Sequence, residues 1–153
     1  MEVKYRKANI DDVQLVFNWA NEPVVRNNSF HSQYIPLEEH TNWFQRKIQG
    51  GNTLFYIAEI ESEPAGMVRF DIGEEDTIIN IIIDKKFRGK KLASVFIEDC
   101  CKCYFAKSSK PILAYVKSSN VTSIHSFKKA GFSFLKEEII HNIESQIFIK
   151  ANG

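Results

Sequence analysis

The sequence has no apolar run approaching the roughly 20 residues that a membrane-spanning helix needs. Its first residues, MEVKYRKANIDD, also lack the apolar core of a secretory signal, so we expect a cytoplasmic protein without a membrane partner. A net charge of +1 excludes a general electrostatic attraction to nucleic acid. Any anion that the chain binds must therefore be held by a local cluster of groups.

Cysteine is scarce, and the three cysteines (Cys100, Cys101 and Cys103) are clustered. An odd, clustered set excludes a disulfide framework and is typical of a reducing compartment. No second Cys/His pair follows at the spacing of a zinc finger, so we expect no metal site. These cysteines are instead expected to pack on a helix.

The sequence also lacks linkers, internal repeats and low-complexity segments, which indicates one domain over residues 1–153. Hydrophobic residues make up 44% and charged residues 25%, as in ordinary globular proteins. Periodicity and turn residues predict the order β-α-α-β-β-β-α-β-α-β-β. The predicted class is a mixed α+β fold of three layers.

The most informative stretch runs from a strand through a basic turn into a helix. Ile78–Ile83 is apolar except for Asn80, which is typical of a central strand buried on both faces. The turn that follows, Asp84–Lys91, contains four lysines, an arginine and a glycine. Backbone N–H groups converge where a strand turns into a helix, and the helix dipole adds positive potential. The pattern therefore favours a phosphate or pyrophosphate site.

Residues 81–93 (IIIDKKFRGKKLA) resemble the acetyl-coenzyme A signature of the GNAT acetyltransferase superfamily, a strand followed by Gln/Arg-x-x-Gly-x-Gly/Ala at the start of a helix. Arg88 and Ala93 match the two ends of that signature, whereas Lys91 stands where the middle glycine is usual. A lysine keeps the backbone N–H and adds a charge, so we interpret it as tolerated.

Residues 116–132 (VKSSNVTSIHSFKKAGF) resemble the second coenzyme A segment of the same superfamily, in which an asparagine, a helix and Gly-Phe follow a strand. Two such segments, about 30 residues apart and in the right order, are more specific than either alone. The element order resembles the whole GNAT fold. The likeness implies a central, mostly antiparallel, twisted sheet of about seven strands with helices on both faces.

The resemblance implies that acetyl-CoA is the co-substrate and that no metal is needed. It assigns coenzyme binding to Ile81, Ile82, Ile83, Arg88, Gly89, Lys90, Lys91, Leu92, Ala93, Asn120, Ser123 and Phe127. A tyrosine that protonates the leaving sulfur is usual at the position of Phe127, and phenylalanine has no such proton. The alternatives are Tyr104, Tyr115, Ser123, His125 or water.

The general base is a histidine or glutamate of the acceptor side, because histidine titrates near physiological pH. His31 is the first candidate, with His40 as an alternative. Asn80 interrupts the central strand and either lines the acceptor site or is a buried, hydrogen-bonded residue. The predicted catalytic set is therefore His31, Asn80 and His125.

The acceptor side carries a second likeness. Residues 18–26 (NWANEPVVR), His31 and residues 39–44 (EHTNWF) resemble the N-terminal region of amino-sugar N-acetyltransferases of the pseudaminic-acid type, which acetylate a nucleotide-linked 4-amino sugar. The pattern also resembles the ribosomal-protein N-terminal acetyltransferases. The predicted substrate-binding residues are Arg26, His31, His40 and Trp43.

The function expected from these likenesses is acetyl transfer to a primary amine, by direct attack in a ternary complex with a small-molecule acceptor. The acceptor is expected to be a sugar nucleotide and the protein a monomer or homodimer. Two alternatives stay open: a protein N-terminal acetyltransferase, and a non-catalytic acetyl-CoA-binding module. The second is favoured by Phe127 and Lys91.

Overall fold

The structure is a computed structural model that describes residues 2–152. Its strands are β1 (Lys4–Lys7), β2 (Thr53–Ile60), β3 (Glu63–Ile72), β4 (Thr77–Ile83), β5 (Ile112–Lys117), β6 (Ser133–Ile140) and β7 (Ile143–Lys150). Its α-helices are α1 (Val13–Ala20), α2 (Pro23–Asn28), α3 (Leu37–Gln49), α4 (Leu92–Phe105) and α5 (Val121–Lys129). The α+β class is confirmed, and the order of elements is as predicted except for the short helix α2, which makes three helices rather than two between β1 and β2.

The strands form one seven-stranded sheet in the order β1-β2-β3-β4-β5-β7-β6. Every neighbouring pair is antiparallel except β4 and β5, which are parallel and pair only at Thr77↔Ile112 and Ile78↔Leu113. Beyond these two pairs β4 and β5 diverge. The gap between them, called the cleft below, opens in the middle of the sheet.

Each face of the sheet has its own apolar core. On one face, α4 and α5 cover the larger core, in which Phe96 and Tyr104 are fully buried. On the other face, α1 and α3 cover a smaller core with Trp19 and Phe44 at its centre. Alternate side chains of the central strands enter opposite cores, which explains their nearly continuous apolar sequence.

The hairpin between β2 and β3 turns at Glu61 and Ser62, whose φ angles are 52° and 65°. The strand resumes at Glu63, and Pro64 lies opposite a register shift between Ala58 and Glu59. A β-bulge tolerates proline because a ladder hydrogen bond is already missing there.

The cysteine cluster lies on α4, as predicted. Cys100 and Cys101 are buried in the larger core, whereas Cys103 is exposed. Burial raises the pKa of the Cys101 thiol to about 12, so it stays protonated and acts as an apolar packing group. Within residues 2–152, no helix is both long and apolar enough to cross a membrane.

Candidate active site

The cleft exposes backbone hydrogen-bonding groups of β4. The N–H of Thr77 donates to Pro111 at 3.0 Å, toward β5, and the N–H of Asp84 donates to Ala65 at 2.8 Å, toward β3. Successive residues of a strand point to opposite edges, so odd-numbered residues of β4 face the cleft. Beyond the two residue pairs with β5, these are Ile81 and Ile83, since the parallel pair Ile78↔Leu113 uses the N–H of Ile79.

The apex of the cleft is fixed by a buried hydrogen-bond chain. The Thr77 and Tyr104 hydroxyls lie 2.6 Å apart, and the Tyr104 hydroxyl donates to the Lys110 carbonyl at 3.0 Å. Because Tyr104 is 0% exposed, its hydroxyl cannot reach a ligand in the cleft. Tyr104 is therefore removed from the candidate proton donors.

The basic turn Asp84–Lys91, called the cradle below, links β4 to α4. Gly89 has φ +76°, and a Cβ built there would meet no heavy atom within 4 Å, so its backbone conformation alone requires glycine. Lys91 is also left-handed (φ 60°, ψ 29°) and precedes α4 without a side-chain cap. The usual glycine at this position thus has a conformational reason, and this chain places a lysine in the same conformation.

The cradle suits a diphosphate joined to an amide-bearing chain. The first N–H groups of the 14-residue helix α4 are free to bind an anion, and Lys90 and Lys91 are exposed beside them. The unpaired edge of β4 leads into the cradle and can pair with ligand amides as an added strand would. The residues present therefore fit coenzyme A, the group that the sequence resemblance implies.

Arg88 differs from its predicted role. Its guanidinium forms a bidentate ion pair with Glu22, at the start of α2, and its Nε donates to the Ile83 carbonyl at 3.1 Å. The side chain is thus directed to the α1–α2 junction, and only its backbone faces the cradle. A second bond crosses the same boundary: Trp19 Nε1 donates to Asp84 Oδ2 at 2.7 Å. Glu22, Trp19 and Asp84 are not among the site residues predicted from the sequence.

The second coenzyme segment is organised by Asn120. Its Oδ1 accepts from the Ser123 N–H at 3.2 Å and its Nδ2 donates to the Ser123 hydroxyl at 3.0 Å, which caps α5. Phe127 is 4% exposed and packs edge-to-face on Phe132. The Phe127 ring therefore serves the core and offers little surface to a ligand. His125 is exposed on α5.

A depression of about 310 Å³ lies beside α2. We call it the α2 cavity, and it is lined by Asn21, Pro23, Arg26, Asn27, Ser32 and Tyr34. Arg26 organises it, because its guanidinium donates to the carbonyls of Ala20 and His31, both at 2.7 Å. Burial lowers the pKa of Arg26. None of these lining residues carries a carboxylate.

The loop that follows α2 meets the far end of the sheet. The rings of His31 and His141, which lies in the β6–β7 turn, have centroids 4.7 Å apart. Lys117, at the end of β5, donates to the Asn27 carbonyl at 2.8 Å. The α2 cavity is thereby attached to the open end of the cleft, and His31 is exposed there.

His40 does not fit its predicted substrate-binding role. It is 2% exposed, and its Nε2 lies 3.1 Å from the Val13 carbonyl. Its ring packs among Phe17, Trp43 and Phe44. Burial lowers the pKa of His40, so the neutral form is favoured. A histidine on the apolar face of a helix is here part of the core and cannot reach an acceptor.

Trp43 and Asn80 lie on the same face of the sheet. Trp43 is half-buried, with the Arg69 guanidinium 4.8 Å from its ring. Arg69 is the cross-strand partner of Asn80 in the β3–β4 ladder, so their side chains share one face. Asn80 is half-buried on the face covered by α1 and α3, which is the side of the α2 cavity.

A match to a known domain family identifies the family of this chain. Residues 3–133 match the model of the acetyltransferase (GNAT) domain. The chain belongs to the GNAT acetyltransferase family. It is therefore an acyltransferase whose co-substrate is acetyl-CoA. No curated protein sequence matches this GNAT chain.

Solved structures share the fold at low sequence identity. Spermidine N-acetyltransferase from Vibrio cholerae, in complex with CoA and spermine, has 16% identity and a TM-score of 0.87, covering 97% of this chain and 95% of that one. Aminoglycoside acetyltransferase AAC(6')-Ib, in complex with coenzyme A, has 16% identity and a TM-score of 0.83, with 98% and 95% covered. An uncharacterized protein from Bacillus halodurans has 20% identity and a TM-score of 0.83, with 97% and 83% covered.

Proposed function

We propose that the cleft and the cradle hold acetyl-CoA and that the chain transfers the acetyl group to a primary amine of a small molecule in the α2 cavity. The observation that carries this proposal is the unpaired edge of β4, which leads directly into the left-handed cradle. The amine would attack directly in a ternary complex, because the two sites lie on either side of the α1–α2 junction.

The backbone supplies most of the coenzyme contacts. Ile81 offers an N–H and a carbonyl to the cleft, whereas the Ile83 carbonyl already accepts from Arg88, which leaves the Ile83 N–H free for a ligand. The N–H groups from Gly89 to Ala93 face the diphosphate position, with Lys90 and Lys91 adding charge. Acetyl-CoA supplies the acetyl thioester. The chain fixes its position and shields it on both sides.

Tyr115 is the side chain that we propose to hold the proton needed at the sulfur. It lies on β5 beyond the last residue pair with β4 and is half-buried. Burial, and the nearby negative charges of Asp76 and Glu138, raise the pKa of Tyr115, so its phenol is protonated at neutral pH. His31, exposed at the mouth of the α2 cavity, is the proposed base, acting through water.

The charges of the α2 cavity favour an anionic acceptor. Arg26 lines the cavity and Lys117 reaches its rim through Asn27, and the cavity lining contains no carboxylate to neutralise them. The Tyr34 ring is 67% exposed and is available for stacking on a base or sugar. Polycationic acceptors would meet like charge here. We therefore infer that the acceptor is a nucleotide-linked amino sugar, with the diphosphate beside Arg26.

A thiol-release assay with acetyl-CoA and a panel of amines tests this proposal. The panel holds UDP-linked 4-amino sugars, peptides with free N-termini, spermidine and an aminoglycoside. Turnover with the sugar nucleotide, inhibited competitively by UDP, is the expected result. Turnover with peptides alone would replace this acceptor by a protein N-terminus. Tight coenzyme A binding by calorimetry, without turnover on any amine, would indicate a non-catalytic module.

A further inference from the structure

Two side-chain contacts tie the α1–α2 junction to the cradle. Trp19 donates to Asp84, and Arg88 donates to both carboxylate oxygens of Glu22, the second at 3.0 Å. The partners are 65 and 66 positions apart in the sequence, so these are tertiary contacts. Trp19 is 4% exposed, and the side chains of Arg88 and Glu22 are 32% and 21% exposed, which keeps both bonds largely shielded from water.

The two cradle residues in these contacts, Asp84 and Arg88, also hydrogen-bond to backbone groups. Asp84 accepts from Trp19 with one carboxylate oxygen and from the Lys86 N–H with the other, at 2.9 Å. Arg88 binds Glu22 with its terminal nitrogens and the Ile83 carbonyl with Nε. The position of the α1–α2 junction therefore sets the entry and the middle of the cradle.

The same junction is fastened to the loop of the α2 cavity. Asn21, between Trp19 and Glu22, donates to the Ile35 carbonyl at 2.9 Å and accepts from the Ile35 N–H at 2.8 Å. Arg26, in α2, donates hydrogen bonds to the carbonyls of Ala20, in the junction, and His31, in the loop after α2. Neighbouring residues of the junction thus hydrogen-bond to the loop after α2 on one side and to the cradle on the other.

We propose that Glu22 and Trp19 are positioning residues for coenzyme binding, and that through them the α2 cavity and the cradle are coupled. This inference rests on the proposed coenzyme site. Glu22 keeps the Arg88 side chain off the diphosphate position and uses it to hold the backbone there. By linkage, an acceptor that orders the loop after α2 strengthens coenzyme binding, and the coenzyme strengthens acceptor binding equally.

Calorimetric titration of the full-length protein with coenzyme A tests this proposal. We expect Glu22→Gln and Arg88→Gln each to weaken the affinity for coenzyme A about five-fold, because each loses the partly shielded bidentate ion pair between these two residues. The double variant should be no weaker than the single ones, because both act through one contact. Trp19→Phe keeps an aromatic side chain, although a smaller one, and removes the N–H donor to Asp84, so it should also weaken coenzyme A binding.

Glu59→Gln is the matched control. Glu59 of β2 forms an ion pair with Arg6 of β1. The two side chains are 27% and 34% exposed, which is similar to the exposure of Glu22 and Arg88. Its loss should lower the melting temperature, less than Glu22→Gln does because Arg6 stays paired with Asp12, and should leave the affinity for coenzyme A unchanged. Asn21→Ala, which touches no cradle residue, should weaken coenzyme A binding about two-fold if the coupling is real.

The results that would overturn the positioning role of Glu22 differ from those that would refute the coenzyme site itself. Tighter or unchanged coenzyme A binding by Glu22→Gln would show that Glu22 merely masks Arg88, and would overturn the proposal. Additive losses in the double variant, or equal losses in Glu59→Gln, would do the same. Failure of the unsubstituted protein to bind coenzyme A would instead refute the coenzyme site on which the proposal rests.

Discussion

The cradle and the α2 cavity lie on either side of one junction, yet they are constructed in different ways. The cradle depends on backbone conformation, with Gly89 and Lys91 in the left-handed region and N–H groups directed at one place. The α2 cavity depends on side chains that hold backbone, above all Arg26 and Asn21. A backbone site is sensitive to conformation and tolerant of side-chain identity, whereas a side-chain site is the reverse. The predictions below test this contrast.

The largest effect is expected from Arg26→Gln. Loss of the guanidinium leaves the carbonyls of Ala20 and His31 without their donor and removes the positive charge from the α2 cavity. We expect kcat/KM for the acceptor to fall about 30-fold, with a smaller change in KM for acetyl-CoA. Arg46→Gln, an exposed arginine of α3, is the control and should leave both unchanged. Equal losses for both substrates would contradict the contrast.

Gly89→Val is expected to weaken coenzyme A binding about ten-fold, with acceptor binding altered only through the coupling proposed above. The reason is the φ of +76°, since a Cβ at Gly89 meets no atom within 4 Å. Gly51→Val is the control, because a Cβ there is equally free and the backbone is not left-handed. Calorimetry measures both variants, and an unchanged affinity in Gly89→Val would show that the cradle is not a backbone site.

The contribution of α3 to the stability of the protein should depend on pH, because this helix carries the buried His40. Burial lowers the pKa of His40 in the folded protein below that in the unfolded chain, about 6.5. The unfolded state therefore gains a proton first as the pH falls, so the stabilisation present above about pH 6.5 is lost toward the lowered pKa. We expect the melting temperature to fall by about 3 °C between pH 7 and 5 from this group. His40→Gln should flatten that slope, and an unchanged slope would contradict the assignment.

The smallest effect is expected from Lys91→Gly. Glycine adopts the observed φ of 60° without strain, so the free energy of unfolding should rise by up to about 1 kcal/mol. Lys91→Ala removes the same charge but keeps the strain, and is the matched control. Both variants should bind coenzyme A about two-fold more weakly at low salt. Thermal melting separates them, and equal stability of the two would show that the lysine is unstrained.

The contrast also explains which parts of the molecule could be predicted from the sequence. Strand and helix periods and the turn that forms the cradle are local patterns, and the structure has these elements where they were predicted. The two-pair contact of β4 with β5 is a tertiary feature that no local pattern specifies. The assignment of Ile81 and Ile83 of β4 to coenzyme binding therefore rested only on the family resemblance.

Side-chain roles were harder to predict for the same reason. The partner of Arg88 is 66 positions away, so its diversion to Glu22 was invisible in the local motif. His40 shares the apolar spacing of Trp43 and Phe44 on α3, and that spacing indicated the core more strongly than its chemistry indicated a substrate contact. Phe127 was assigned to coenzyme binding by the resemblance, but its ring is buried in the core.

The unpaired edge of β4 has a consequence for the lifetime of the protein in the cell. A sheet with free N–H and carbonyl groups in its middle is an incomplete fold, and a ligand that pairs with them completes it. A ligand at a hundred times its dissociation constant adds about 2.7 kcal/mol to the free energy of unfolding. The abundance of this protein should therefore follow the supply of coenzyme A, because chains without coenzyme unfold and are degraded sooner.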